Sequence, residues 1–297
     1  MSVPRLVTTA TPSTTASRPR DDELDLFGLT HPGRVRAENQ DHFLLCTLHQ
    51  QIVIHGTSLP GPEHLPLRGE RMGTIMLVAD GVGGTAAGGE ASQLATEAIT
   101  SYVSSTMRCF HAAEAASEEK EFFGDLRSAV HDAHERVRLQ ASVEKQRMAT
   151  TLTLAIAVWP RMYVIQVGDS RCYYYWNGKL RQVTRDQTVA QYLVDSGALP
   201  ADQAARSPFN NVLSSAIGGE EAKPEVALLD ISPRGCVILL CSDGLTKHVK
   251  DEEIAEHLRT MTSAEQVCTA LLELSLDRGG TDNITILAGR ARGEAQK

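Results

Sequence analysis

The chain has 297 residues, 42% of them hydrophobic and 22% charged, with a net charge of −8. Those values suit a globular domain with one large core and exclude a low-complexity or fibrous chain. The acidic balance argues against non-specific nucleic-acid binding, and no apolar run reaches the roughly 18–20 residues needed to span a bilayer.

Residues 1–23 are rich in Thr, Ser and Pro and poor in bulky apolar groups, with three arginines among the first 20 and no acid before Asp21. They are predicted to be a disordered tail, with order starting near Leu24. Strands are expected at 42–48 (HFLLCTL) and 51–55 (QIVIH). A Pro/Gly-rich exposed excursion is expected at 56–73, before the apolar run TIMLVAD. Ala91, Leu94, Ala95, Ala98, Ile99, Tyr102 and Val103 recur at helical spacing and predict a helix over 90–107. Leu126, Val130, Ala133, Val137 and Ala141 predict a second over 119–146.

Strand signals then follow closely at 150–158, 162–167, 171–176 and 180–184, with Asn177-Gly178 as a two-residue hairpin turn. Residues 186–209, broken by Gly197, Pro200 and Pro208, read as a helical and then irregular flap. Strands at 225–230 and 236–241, helices at 251–260 and 263–277, and a strand at 283–288 complete the chain. Runs of strands separated by a helix pair give an α+β class, an antiparallel sandwich, rather than alternating βαβ units.

Cys46, Cys109, Cys172, Cys236, Cys241 and Cys268 form no CxxC pair, which speaks against a zinc ribbon. Several lie in apolar runs, as core thiols do, and a reducing, cytoplasmic compartment is expected.

Four strand-like runs carry an Asp at one end. TIMLVADGVGG ends on Asp80, YVIQVGDSR on Asp169 and VILLCSDGL on Asp243, while GGTDNITILAG places Asp282 just before a run. Strand ends fix a side chain in space, so four carboxylates can meet at one edge of a core. Such a group is costly to bury unless hard divalent cations hold it together through oxygen. Upstream, GRVRAENQD carries Arg36, Asn39, Gln40 and Asp41 before a strand. Each motif alone could be a turn or a cap. The glycines after Asp80 are not followed by GK[ST], so they are no nucleotide P-loop.

Taken in order, R-x-x-x-x-D, apolar-DGxGG, a Thr-Thr strand start, GDSR, SDGL and DN-apolar resemble the metal-dependent PPM (PP2C-type) protein serine/threonine phosphatases, the bacterial branch most closely. The resemblance runs from about Asp25 to Ala288. It implies a four-layer α-β-β-α fold, with a tail over 1–23 and a phosphatase domain over 24–292 that carries the flap. It implies two Mn²⁺ or Mg²⁺ ions, with a third position seen in many members. Asp80 would bridge the two ions and the Gly81 carbonyl would bind one. Asp243 and Asp282 would hold the other, and Asp169 with Asp243 would serve the third. Asp41 would orient metal-bound waters and Arg36 would bind the substrate phosphate.

The implied activity is hydrolysis of phosphoserine and phosphothreonine in proteins by direct attack of metal-activated water. The implied partners are phosphoproteins and serine/threonine kinases with their substrates, met by a monomer. Gln40, Val82 and Ala149 depart from the family pattern, but none is a core metal ligand. Two other readings stand beside this one: a regulator acting on a single phosphoprotein, and a catalytically silent binding module. Silent members usually lose a metal ligand, whereas all four Asp positions are kept here. His31, His42, His55 and His64 are expected to be ordinary surface or packed residues.

Overall fold

In the run from Ile75 to Ala79 every side chain is at most 2% exposed, because the strand that carries it is covered on both faces. Ile75, Leu77 and Ala79 pack against helices, while Met76 and Val78 pack into a second sheet. This strand, β4 (Arg68–Val82), lies inside a sheet of order β1-β10-β7-β6-β4-β3, with β5 pairing the end of β4. Its partners are β1 (Arg5–Val7), β3 (Asp41–Gln51), β5 (Ala149–Thr150), β6 (Leu152–Val158), β7 (Arg161–Val167) and β10 (Glu225–Asp230). The second sheet runs β2-β12-β11-β8-β9, from β2 (Leu24–His31), β12 (Ile284–Ala291), β11 (Val237–Cys241), β8 (Arg171–Trp176) and β9 (Lys179–Gln182). All pairs are antiparallel except β1 with β10. The computed structural model describes residues 5–7, 17–51, 54, 68–83, 86–106, 116–204 and 206–292.

Three apolar layers follow from strand alternation. The first lies between the larger sheet and the pair α1 (Ala86–Thr106) and α2 (Ala116–Glu144). The second lies between the smaller sheet and the pair α6 (Asp251–Arg259) and α7 (Ala264–Asp277). The third fills the space between the sheets. The result is the α-β-β-α order that the resemblance implies. Among the described residues there are also the short helices α3 (Val189–Asp195), α4 (Ala201–Ala204) and α5 (Asp243–Thr246) and a 3-10 turn at Asp21–Glu23.

Most predicted elements appear within a few residues of their expected ends. Asn177 and Gly178 have φ of 49° and 76°, as a two-residue primed turn requires. Two regions differ, each for a physical reason. Residues 68–73, expected in an exposed excursion, extend β4 because β3 runs on to Gln51 and pairs with them, with register irregularities beyond Leu48. The rest of that excursion, 56–67, and most of the predicted strand 51–55 lie outside the described residues.

The predicted disorder through residue 23 does not hold for 17–23. Arg71 donates to the Pro19 carbonyl at 2.7 Å and to Asp21 at 2.6 Å. Arg234 donates to the Ser17 carbonyl, and the Arg292 amide to the Glu23 carbonyl. Arg5–Val7 pairs with the edge strand β10. Cationic side chains and an open sheet edge thus hold a segment whose own composition buries little.

Candidate metal centre

The alternation that builds the inter-sheet layer also builds the site. On β4 the inter-sheet positions run Met76, Val78, Asp80; on β3, Leu45, Phe43, Asp41; on β11, Ile238, Leu240 and then Ser242. Thr153, Gln166, Ser170 and Thr285 continue the same face on four further strands or their ends and are all buried. One end of the layer is therefore polar where the rest is apolar. Asp41 and Asp80 are direct partners across β3 and β4.

Local bonds fix each group. The Asp80 amide donates to Thr151 Oγ1 at 3.0 Å, and Thr150 Oγ1 and the Thr151 amide donate to the Asp80 carbonyl at 2.8 and 2.9 Å. Thr151 Oγ1 lies 2.8 Å from Ser170 Oγ, which ties the end of β4 to the turn holding Asp169. Gly168 opens that turn with a φ of 102°, and a Cβ there would meet Thr151 Cγ2 at 2.7 Å. Asp243 begins α5 directly after the buried strand β11 and the N-cap Ser242. Asp282 accepts from the Asn283 amide at 3.0 Å. Asn283 Nδ2 donates to the carbonyls of Pro32 and Glu38, while its Oδ1 accepts from the Gln40 amide. That asparagine joins the Arg36–Asp41 loop to the start of β12.

Asp80, Gly81, Asp169, Asp243, Asp282 and Arg36 all line one cavity of about 560 Å³. Asp41 is not on its wall. It lies behind it, 4% exposed, with Oδ2 accepting from Ser242 Oγ at 2.7 Å and Thr285 Oγ1 at 2.6 Å. Sequence reasoning missed Lys247 and Asn211 and gave no role to Thr151 and Asn283, which lie within its Thr-Thr and DN motifs; all four share the cavity wall. Of the two missed, Lys247 had a readable signal: it stands four residues after Asp243 at a helix start, the spacing that faces two side chains together. Its Nζ lies 2.6 Å from Asp243 Oδ2 and 2.7 Å from Asp282 Oδ2. Arg36 also reaches Asp282, with Nε 2.8 Å from Oδ1.

Of the histidines set aside, His31 Nδ1 accepts from the Gly33 amide and His42 bonds Ser92; His55 and His64 lie outside the described residues.

The electrostatics are those of acids forced together. Burial, then Asp243 and Asp186, push Asp169 up to about 8. Burial raises Asp41 to about 6 against the opposing hydroxyls of Thr285 and Ser242. Asp80 is held well above the usual carboxylate range, by burial first and then by Asp41, Asp243 and Asp169. Burial also raises Asp243, with Lys247 opposing. Burial acts the same way on Asp282, but Arg36 and Lys247 outweigh it and hold that carboxyl low.

Two buried oxygens, Asp41 Oδ1 and Asp243 Oδ1, have no hydrogen-bond partner among the described residues. Unpartnered buried carboxylate oxygen beside raised carboxyls fits an oxygen-ligated divalent cation. The carboxylates ring the cavity rather than meeting at a finished point. Among the described residues no three His, Cys, Asp or Glu side chains already stand close enough to hold an ion.

The decisive likeness is in the sequence: residues 66–276, which include Asp80, Asp169 and Asp243, match the family model described as protein phosphatase 2C. The chain belongs to that family. Relatives include the serine/threonine protein phosphatase PstP of Mycobacterium tuberculosis, 34% identical over 219 residues, which are 72% of this chain but 39% of that protein. The serine/threonine phosphatase stp of Listeria welshimeri is 33% identical over 216 residues, 72% of this chain and 82% of that one. Among solved structures, the catalytic domain of the serine/threonine protein phosphatase PstP in complex with two manganese ions superposes with a TM-score of 0.69. The two are 28% identical, over 91% of this chain and 99% of that one. The chain thus spans well under half the length of the PstP proteins it matches, but nearly all of that catalytic domain. Among the described residues no helix is long and apolar enough to cross a membrane.

Proposed function

We propose that this phosphatase-family chain removes phosphate from phosphoserine and phosphothreonine in proteins, by direct attack of water activated by two Mn²⁺ or Mg²⁺ ions. The observation that carries the reading is the meeting of Asp80, Asp169, Asp243 and Asp282 on one cavity, with a buried Asp243 oxygen that has no hydrogen-bond partner among the described residues. Asp80 and the Gly81 carbonyl would hold one ion, with Asp80 shared. Asp243 and Asp282 would hold the second, and Asp169 with Asp243 a third. Bound there, the ions supply a nucleophile at neutral pH and neutralise phosphoryl charge.

The chain's own residues do the rest. Arg36, half-exposed at the cavity wall, presents a guanidinium whose fork matches phosphate oxygens. Asp41 is buried behind Asp80 and, held by two hydroxyls, keeps one oxygen directed by those bonds. No side-chain nucleophile is needed. Ser170 and Ser242 are committed to structural bonds, and burial pushes the Cys172 and Cys268 thiols up to about 12. Asn211 and Leu213, just beyond the predicted flap, form part of the wall, with Phe209 and Val212 exposed nearby. That segment would meet the substrate protein. The setting that fits is a cytoplasmic monomer opposing serine/threonine kinases, within a domain over 24–292.

A rapid acid quench with ³²P-labelled phosphoserine protein tests the route. Metal-dependent release with no label on the enzyme is expected; a trapped phosphoenzyme would contradict direct attack by water.

A further inference from the structure

Lys247 is the residue of the site that neither the motifs nor the proposed reaction uses. It follows α5 directly, and its amide donates to the Asp243 carbonyl at 2.8 Å, which brings its side chain back over Asp243. There the ammonium joins two carboxylates from different elements, at 2.6 Å to Asp243 and 2.7 Å to Asp282. All three side chains are at most a quarter exposed, so solvent screens the contacts little. The other Asp243 oxygen is buried and has no hydrogen-bond partner among the described residues. The two aspartates to which the proposed function gives one ion are therefore already bridged by a side-chain cation, and no ready-made three-ligand nest exists among the described residues.

We propose that the Lys247 ammonium is a built-in competitor for the divalent ion of the Asp243–Asp282 position, which the ion must displace in order to bind. The inference rests on the proposed metal-dependent function and adds a regulation to it. The ammonium and a divalent cation need the same carboxylate lone pairs, and both cannot have them. Without metal, Lys247 keeps the two aspartates together and partly neutralised, so the site does not fly apart. With metal, it leaves Asp243 and Asp282 and swings free in the cavity. The cost of displacing it weakens one ion position relative to its unhindered affinity, so occupancy of that position responds to the free cation concentration. Arg36 does not do the same work, because it reaches Asp282 but makes no bond to Asp243 among the described contacts.

Two measurements test this on the full chain. Calorimetric titration of metal-stripped protein with Mn²⁺ compares the wild type, Lys247→Met and the control Lys179→Met, whose lysine sits on the hairpin at the far end of β8. Losing one charge-assisted hydrogen bond corresponds to about tenfold or more in a binding constant. Lys247→Met is expected to tighten the weaker Mn²⁺ step by that factor, and Lys179→Met to leave it unchanged. In the wild type, acetylation of Lys247 followed by mass spectrometry is expected to be slow without metal and faster once Mn²⁺ is added. This arm needs no variant to fold. Equal Mn²⁺ affinity in Lys247→Met and wild type, or equal acetylation with and without metal, would overturn the proposal. A wild type that binds no Mn²⁺ at all would instead overturn the metal-dependent function, and the proposal with it.

Discussion

Two hydroxyls, from Ser242 on one side and Thr285 on the other, converge on a single oxygen of Asp41, beside Asp80. In the proposed site a carboxylate held in this way would orient its neighbours rather than touch substrate. Asp41→Asn is therefore expected to lower Mn²⁺ affinity by about 10–100-fold while the protein stays folded, as losses of such outer partners do; calorimetry checks it.

The raised carboxyls also set a pH dependence. Burial lifts Asp41 and Asp169 from the ordinary 3.8 to about 6 and 8, so between the ordinary and the raised values the folded state binds more protons than the unfolded one. These two groups make the metal-free protein less stable as pH rises from about 4 to about 8, while His42 and His134, lowered by burial, oppose them only below about 6.5. Saturating Mn²⁺, which needs the ionised forms, should remove that fall. A melting temperature flat from pH 6.5 to 8 without metal, where Asp169 acts and the histidines do not, would contradict it.

At the level of elements, two glycines in different settings separate folding from site assembly. Gly178 has nothing within 4 Å of an added Cβ but a φ of 76°. Gly178→Ala should cost about 1–2 kcal/mol by denaturant unfolding and leave Mn²⁺ binding alone. Gly244 is confined by packing instead. A Cβ there would fall 1.9 Å from the Asn283 carbonyl oxygen, so α5 and the Asp282–Asn283 loop could not both stay in place. Gly244→Ala should lose most Mn²⁺ affinity, and wild-type binding in that variant would show that the two halves of the site need not touch.

These elements also show what was readable beforehand. The runs ending at Asp80, Asp169 and Asp243 were legible because apolar stretches announce buried strands and the acid breaks them. β2 was not, because LDLFGLTH carries Gly28 in its middle; the glycine is there because a Cβ would press on Leu287 and Phe43 at 3.1 Å. Lys247 was hidden for another reason. Its bond to Asp243 is local, but its partner Asp282 is 35 residues away, and only the fold brings them together.

Across the whole molecule, the two ends of the sandwich are chemically opposite. One end carries the acidic cavity. The other has a small apolar cavity of about 70 Å³ beside Met76, Trp159 and Ile238, with Arg18 and Pro19 on its wall. Composition could not place residues 17–23 there, because what holds them is the cationic side chains of Arg71 and Arg234 on the body.

Arg71 is 7% exposed and would lose both its partners, Pro19 and Asp21, if residues 1–23 were removed. Each hydrogen bond to a charged group is worth about 1.5–3 kcal/mol. The truncated protein should melt at least about 4 °C lower with Mn²⁺ affinity unchanged; an unaltered melting temperature would mean the segment adds nothing to the fold.

The central claim, a metal-dependent phosphatase built on strand-end aspartates, meets its most direct test in phosphate release from a phosphothreonine peptide. The protein is stripped of metal, Mn²⁺ or Mg²⁺ is added back, and Asp243→Asn runs beside the wild type. Release that appears only with metal and falls by at least about 100-fold in the variant is the expected result. Equal release without metal, or full activity in Asp243→Asn, would contradict it.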